Sequence, residues 1–421
     1  MYSSAMSAAN SRNVTVIGAG VVGMCCARWL QRDGHAVTVI DPVAPGESCS
    51  FGNAGIISAG SVLPLAMPGI LRKVPGMLLD PLGPLTIRMR HLPRLAPWLV
   101  RLLAASRRQR VGPIADALRA LNAPAVDAYR ELLGSADFGD LVRHEGLIYA
   151  YESEAALDAE AEEWAMRTAR GVHAERVGRE ELRQLEPALG PEFACAMFVE
   201  QTAHAVSPLR MVKTLAGKFL ADGGEIVSGR VDGFDMSAQG PRALHGECGA
   251  REVDALVIAA GAWSHRLAAS LGSRVPLEAE RGYHVTLPDA GVALRRPVSY
   301  AKRGVIATPM EMGLRIAGMV ELASLDAAPD YRRARVLLEH ARRMFPGLRT
   351  DGASEWMGCR PSLPDSLPVI GRSPHFAGVF YAFGHGHLGL TEGAITGRLV
   401  AELVAGRPPS LAVEPYRVDR F

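Results

Sequence analysis

A glycine turn near the start of the chain, Gly18-Ala19-Gly20-Val21-Val22-Gly23, has the residue types needed to hold a diphosphate. Gly18 permits a tight turn, Gly20 lets main chain approach a pyrophosphate, and Gly23 lets a helix lie close on a strand. The helix that opens at Val21 and Val22 would face the phosphates with unpaired N–H groups and a positive dipole. Asp41 follows at the spacing at which a carboxylate accepts hydrogen bonds from a ribose hydroxyl pair. A second glycine turn lies near the other end of the chain, Gly384-His385-Gly386-His387-Leu388-Gly389-Leu390-Thr391. Ahead of a helix, such a turn is a second device for stabilising negative charge. His385 and His387 do not read as metal ligands, because no carboxylate or cysteine stands nearby at a suitable spacing, and no metal is expected.

These turns need elements to position them. Residues 13–17 (NVTVI) read as a strand, 21–31 as a helix with Gly34 as its C-cap, and 36–40 as a second strand ending at Asp41. In that setting the glycine motif becomes a strong sign of dinucleotide binding, though it does not separate a flavin from a nicotinamide. A small polar loop, 47–55, follows and would run close to the cofactor. A strand at 254–260 runs into Gly261-Ala262-Trp263-Ser264, a further approach of backbone to the cofactor. A strand at 379–383 enters the C-terminal turn, and a helix over 392–404 follows it, with Gly406 beyond its end. Elsewhere, helices are expected at 114–133, 154–170, 180–185 and 208–222. Strands are expected at 146–151, 196–200 and 225–231, with several more between 282 and 320.

Residues 56–106 are apolar but broken by Pro64, Pro68, Pro75, Pro81, Pro84, Pro93 and Pro97, so no long helix can cross them. Leu95, Trp98, Leu99, Leu102 and Leu103 share a helical face flanked by Arg94, Arg101, Arg107, Arg108 and Arg110. The expectation is a helix packed on the protein's own core, with peripheral contact on a membrane surface as the alternative.

The chain has 421 residues, enough for two or three domains, and 46 Lys+Arg against 44 Asp+Glu. That balance excludes the basic excess of a nucleic-acid binder. Six scattered cysteines form no CxxC pair, which fits a reducing, cytoplasmic setting. The first eleven residues lack the apolar core of a signal peptide and read as a short disordered leader. No apolar run is long enough to span a bilayer.

Taken together, SFGNAG, VIAAGAWS, RGYH, GLRIAGMVE, GCRPSLPDSLPVIG and FGHGHLGLTEGAITG resemble the D-amino-acid oxidase superfamily of flavoproteins. The likeness is strongest to bacterial D-amino-acid dehydrogenases, including the branch that handles D-proline and 4-hydroxy-D-proline. It implies a mixed α/β fold. A Rossmann-like FAD-binding domain would be assembled from 12–60, 203–275 and 355–421, and a mixed-sheet substrate domain from 61–202 and 276–354. It implies that Gly18, Gly20, Gly23 and Asp41 hold the ADP half, with Val231 beside the adenine. Ser50, Asn53, Ala54 and Gly55 would lie along the flavin, and Ala260, Gly261 and Trp263 would flank the cofactor. Gly386, His387, Leu388, Gly389, Leu390 and Thr391 would wrap the isoalloxazine.

Arg360 falls where the family places an arginine for the substrate carboxylate, a role that suits a planar guanidinium. Tyr283, His284, Tyr300 and His387 are further pocket candidates. Cys359 stands where monomeric sarcosine oxidases carry a cysteine bonded to the flavin, although a buried, inert thiol is the simpler expectation. The implied reaction is FAD-dependent oxidation of a small amino acid, by hydride transfer from Cα to flavin N5. The electrons would pass to a quinone, an electron-transfer partner or oxygen. The alternatives keep the fold and change the substrate to glycine, sarcosine or an opine, or make the chain one subunit of a larger dehydrogenase.

Overall fold

The short apolar runs become the middle of a six-stranded sheet in the computed structural model, which describes residues 11–80 and 82–421. The expected leader, up to residue 10, lies outside the described residues, as does Pro81. The strand order is Glu225–Ser228, Ala36–Asp41, Asn13–Ile17, Ala255–Ile258, Val379–Phe383, Val369–Arg372. Only the last pairing is antiparallel. Parallel strands are covered on both faces, which is why they read as apolar runs rather than alternations. Val14, Val16, Val37 and Val257 join the core beneath helices Val21–Arg32, Pro208–Ala221 and Gly389–Val404. Ile17, Ile40, Leu256 and Ile258 face a three-stranded antiparallel layer and helix Ser264–Ser270.

A second sheet has nine strands. Eight run in the order Ser354–Ser362, Glu278–Leu287, Gly313–Leu322, Val305–Met310, Val298–Tyr300, Leu147–Tyr151, Cys195–Val199, Glu175–Gly178, and Leu85–Ile87 adds to Gly313–Leu322. It is mixed, with parallel pairings at 298–300 beside 148–150 and at 320–322 beside 85–87. Helix Arg332–Met344 packs on it through Ala334, Leu337, Ala341 and Met344. The α/β architecture with a mixed second sheet is thus as expected.

Several boundaries differ. The helix expected over 114–133 is two, Arg108–Asn122 and Ala125–Leu133, divided at Pro124, which has no N–H to continue the ladder. The helix expected over 154–170 is also two, Glu154–Asp158 and Ala161–Thr168. Strand 225–231 stops at Ser228, because Gly229 (φ +147°) turns the chain and Val231 opens the antiparallel layer. The last helix begins at Gly389 rather than at 392. Strand Ser354–Ser362, expected with the FAD-binding segments from 355 onward, pairs with Glu278–Leu287 in the nine-stranded sheet. In the proline-broken segment, Leu95 and Trp98 pack on Leu322 as a helix on the protein's own core would. Among the described residues, no helix is long and apolar enough to cross a membrane.

Candidate active site

One cleft, of about 1020 Å³, runs along the C-terminal ends of strands Asn13–Ile17, Ala36–Asp41, Ala255–Ile258 and Val379–Phe383. This edge of an open parallel sheet is where ligands bind, and the volume is at the upper end for small-molecule sites. Gly18 has φ +117°, and a Cβ there would lie 2.3 Å from the Ala259 carbonyl oxygen. A Cβ at Gly23 would lie 1.8 Å from the Gly18 carbonyl oxygen, so no side chain fits between helix and turn. Gly23 therefore sits behind the turn and does not line the cleft; Gly18, Gly20, Val21 and Val22 do. Two N–H groups of the turn already have acceptors: Ala19 donates to Asp41 Oδ2 (2.7 Å) and Val21 to Ser50 Oγ (2.9 Å). Asp41 Oδ1 accepts from Val43 (2.8 Å), and each carboxylate oxygen keeps a lone pair for a further donor. Burial raises the Asp41 carboxyl, against the two backbone donors that lower it. Gly229 and Val231 line the cleft beside it.

The loop at 47–55 reaches from the parallel sheet to the nine-stranded one. Ser50, Asn53 and Ala54 line the cleft, whereas Gly55 (φ +81°) only turns the chain against Ala205. Arg315, buried in the second sheet, donates through Nη1 to the carbonyls of Phe51 and Asn53, both at 2.8 Å. Burial lowers its guanidinium to about 10, so it stays charged. The His284 Nδ1 meets the Gly52 carbonyl at 3.1 Å, and burial, then Arg315, lowers this imidazole to about 3. It is neutral and donates. Trp356 stacks on His284 with centroids 5.0 Å apart. Its indole passes where side chains at Gly52 and Gly358 would stand, with Cβ positions 1.8 and 2.0 Å from the ring. Neither Arg315 nor Trp356 stands out in the sequence as a loop anchor. The one signal is a lone arginine inside the apolar run GLRIAG.

At the far end the cleft meets buried charge. Arg360 Nη1 donates to Glu280 Oε1 (2.8 Å) and to the Met319 carbonyl (3.3 Å). Ser362 Oγ donates to the other Glu280 oxygen at 2.8 Å. Burial raises the Glu280 carboxyl, but Arg360, His387 and Ser362 together hold it below the usual range. Burial lowers the His387 imidazole, which stays neutral beside the pair. Met319 has φ +61°, a conformation rarely adopted by a side-chain-bearing residue, and lies opposite a register shift between Arg281 and Tyr283. Such bulges re-aim side chains and carbonyls at functional sites. A Cβ at Gly282 would lie 2.2 Å from Arg360 Nη2, so the guanidinium lies directly over this glycine.

Tyr283 also lines the cleft, but its hydroxyl is engaged: it donates to Glu321 Oε2 (2.6 Å) and accepts from the Asp330 N–H (3.0 Å). Burial and Glu321 raise it to about 12. Glu321 also pairs with Arg281 (3.1 Å) and Arg88 (2.6 Å). Both arginines donate to carbonyls of Ala327 or Ala328, which ties the following segment down. Tyr300, expected in the pocket, is elsewhere. Its ring packs on Phe193 inside the second sheet and its hydroxyl bonds Glu152, so it does not reach the cleft.

Ala260, Gly261 and Trp263 line the cleft, as do all six residues from Gly386 to Thr391. A Cβ at Gly261 would meet nothing within 4 Å, so this glycine borders open space. Thr391 Oγ1 donates to the Ile56 carbonyl (3.2 Å), and His385 Nε2 pairs with Thr396 Oγ1 (3.0 Å), its imidazole lowered by burial to about 3. Cys359 and Cys49 border the same space, and burial raises both thiols, Cys49 to about 12. A glycine cradle at one end, an open length between, and a second glycine turn at the other fit a dinucleotide carrying a ring system.

Comparison with known proteins agrees. A family model described as FAD dependent oxidoreductase (DAO) matches residues 13–403. A Bradyrhizobium diazoefficiens protein named D-amino-acid oxidase is 41% identical, over 97% of this chain and 99% of that one. A second protein of that organism, named D-amino acid dehydrogenase, is 32% identical over 97% and 98%. Among solved structures, glycine oxidase from Geobacillus kaustophilus superposes with a TM-score of 0.73 at 22% identity, covering 98% of this chain and 100% of that one. L-proline dehydrogenase from P. horikoshii gives 0.71 at 20%, covering 98% of each. At such identities the structural likeness speaks for the fold.

Proposed function

This chain belongs to the DAO family of FAD-dependent oxidoreductases, and we propose that it oxidises a small D-amino acid at the Cα–N bond, with D-proline and 4-hydroxy-D-proline foremost. The observation that carries this reading is the Arg360 guanidinium. Nη1 is taken by Glu280 and Met319, while Nε and Nη2 have no hydrogen-bond partner among the described residues. Two donors on one edge match the two oxygens of a carboxylate.

FAD, when bound, supplies the acceptor for the hydride that leaves Cα. The chain's own residues position and shield. Arg360 orients the substrate carboxylate, and Glu280 with Ser362 holds Arg360 in place. The strands that carry this pair bring Tyr283 and Trp356 into the cleft, and the neighbouring strand Gly313–Leu322 adds Met319, an apolar and aromatic wall that suits a small uncharged side chain. Burial against such a wall lowers an ammonium pKa, so the amine is held neutral with its lone pair free to assist. His387, itself neutral, adds no second positive charge. Positioning supplies most of the acceleration.

Anaerobic titration of the yellow protein with D-proline, 4-hydroxy-D-proline, D-alanine, glycine, sarcosine and L-proline tests this. The D-amino acids should bleach the flavin and L-proline should not. Bleaching by glycine or sarcosine alone would overturn the reading. The relatives' names divide between oxidase and dehydrogenase, so the reduced protein is then offered oxygen, a quinone analogue and a one-electron dye in turn.

A further inference from the structure

Helix Ile70–Leu79 is apolar along most of its length, ILRKVPGMLL, yet none of its described side chains is buried. An apolar helix face is ordinarily covered by something. Leu71 and Leu78, seven residues apart on one face, are 61% and 44% exposed, and Leu79 is 82% exposed. Helix Leu92–Ala105 has the same surplus on one side. Leu95 and Trp98 pack inward, while Pro93, Ala96 and Val100, and Met89 in the short turn Met89–His91 just ahead of the helix, are exposed on the other side, spaced by threes and fours. Seven of the thirteen large apolar side chains exposed on the described surface fall within 65–100. An even scatter would put about one there, and both helices flank the short strand Leu85–Ile87, the first in contact with it and the second packed on Leu85 and Ile87 through Leu95 and Trp98, so the exposed side chains share one region of the surface, as at an interaction site.

The charge around it points to the occupant. Residues 65–110 carry nine lysines or arginines and a single acid, Asp80, which is ion-paired with Arg303. Arg72, Arg90, Arg94 and Arg101 are exposed and pair with no carboxylate among the described residues. A second copy docking through the same face would set this positive field against itself. We infer that the face formed by 65–110 docks on an anionic lipid bilayer. The leucines, Met89 and Val100 enter the headgroup boundary and the arginines lie among the phosphates. Pro84, between the two helices, lines the cleft, so docking brings the cleft wall toward the bilayer.

Flotation of the FAD-loaded protein with phosphatidylglycerol–phosphatidylcholine vesicles, against phosphatidylcholine alone, tests the inference. The protein floats with the anionic vesicles only. A triple variant, Arg90→Gln, Arg94→Gln and Arg101→Gln, weakens partitioning about a hundredfold, or about fivefold per arginine. A double variant, Leu79→Glu with Val100→Glu, also stays at the bottom. Leu220→Glu, exposed elsewhere, floats like the parent. Unchanged flavin absorbance shows that each variant is folded. Absence of flotation with anionic vesicles, or flotation undiminished in both patch variants, overturns the inference. So does a concentration-dependent dimer in sedimentation velocity that Leu79→Glu with Val100→Glu abolishes, which would assign the face to a second copy.

Discussion

At the Gly18 end of the cleft the groups offered to a ligand belong mostly to main chain, whereas at the Arg360 end they belong to side chains whose charges are buried together. The first end needs a left-handed glycine, a glycine where helix meets turn, and one carboxylate fastened to backbone N–H groups. The second needs Arg360 to find Glu280, eighty residues away in sequence, and Arg281 to find Glu321. Main chain held in a turn tolerates no side chain but depends little on distant partners. Buried ion pairs cost desolvation and hold only while every partner is present. Binding the cofactor and recognising the substrate should therefore fail separately.

The largest expected effect breaks the first end alone. Gly18→Ala forces φ +117° on a side-chain-bearing residue and sets a Cβ 2.3 Å from a fixed carbonyl. Strain of this sort costs about 1–3 kcal/mol and the overlap with the carbonyl adds to it, so FAD affinity should fall at least about a hundredfold. The ratio of flavin to protein absorbance after gel filtration measures it, with circular dichroism confirming the fold. Full retention of flavin would show that the turn is not the cradle.

Arg360→Lys breaks the second end. It keeps the charge but loses the two-donor edge and leaves Glu280 poorly paired. Glu280 is buried while Arg360 is only partly so, and leaving a buried carboxylate without its partner costs about 2–5 kcal/mol, so kcat/KM for the D-amino acid should fall at least thirtyfold with flavin content unchanged. Glu280→Gln, which keeps a hydrogen-bond acceptor for Arg360, should cost less. Equal losses of flavin and of turnover in Arg360→Lys would mean that the two ends are one unit.

The contrast also explains what could be read from the chain beforehand. The Gly18 end was legible because its parts are adjacent in sequence: strand, turn, helix, strand and acid within about thirty residues. The partners of the second end were not. Glu280, Ser362 and Arg360 come together only through the pairing of strands Glu278–Leu287 and Ser354–Ser362, and no local pattern announces a register. Arg360 itself rests on the family likeness, not on spacing. Tyr300 falls outside the cleft, against expectation, for the same reason, since alternation along its strand does not say which face meets the cleft. Arg315 is not legible as an anchor, because a buried arginine reads as a solvated one in sequence and only the fold brings its two carbonyl partners to it.

A smaller effect follows from the imidazole behind the second glycine turn. His385 is fully buried and its pKa falls to about 3 from 6.5. Between those values the unfolded chain binds the extra proton and the folded one does not. Stability from this group is complete above pH 6.5 and is lost as pH falls toward 3. At about 1.4 kcal/mol per unit, wild type should lose about 2 kcal/mol between pH 6.5 and pH 5 through His385 alone. His385→Asn should be less stable at pH 7 yet lose less on acidification, as urea unfolding at the two pH values would show. Parallel pH profiles would mean that the imidazole is already protonated in the fold.

The smallest effect concerns Cys359, which borders the cleft on the strand that carries Arg360. If the substrate end also bonded the cofactor, the division drawn between the two ends would fail, and this thiol is where that bond would form by analogy. Burial raises its pKa, with Arg281 pulling the other way, so the thiol rather than the nucleophilic thiolate prevails near neutrality. The flavin should therefore be released completely by acid precipitation, leaving a colourless pellet. Cys359→Ser should bind FAD as the parent does and change kcat/KM by no more than about twofold, as expected for a small buried group that keeps its neighbours. A pellet that stays yellow in the parent and turns white in the variant would move cofactor retention from the glycine turns to the Arg360 strand.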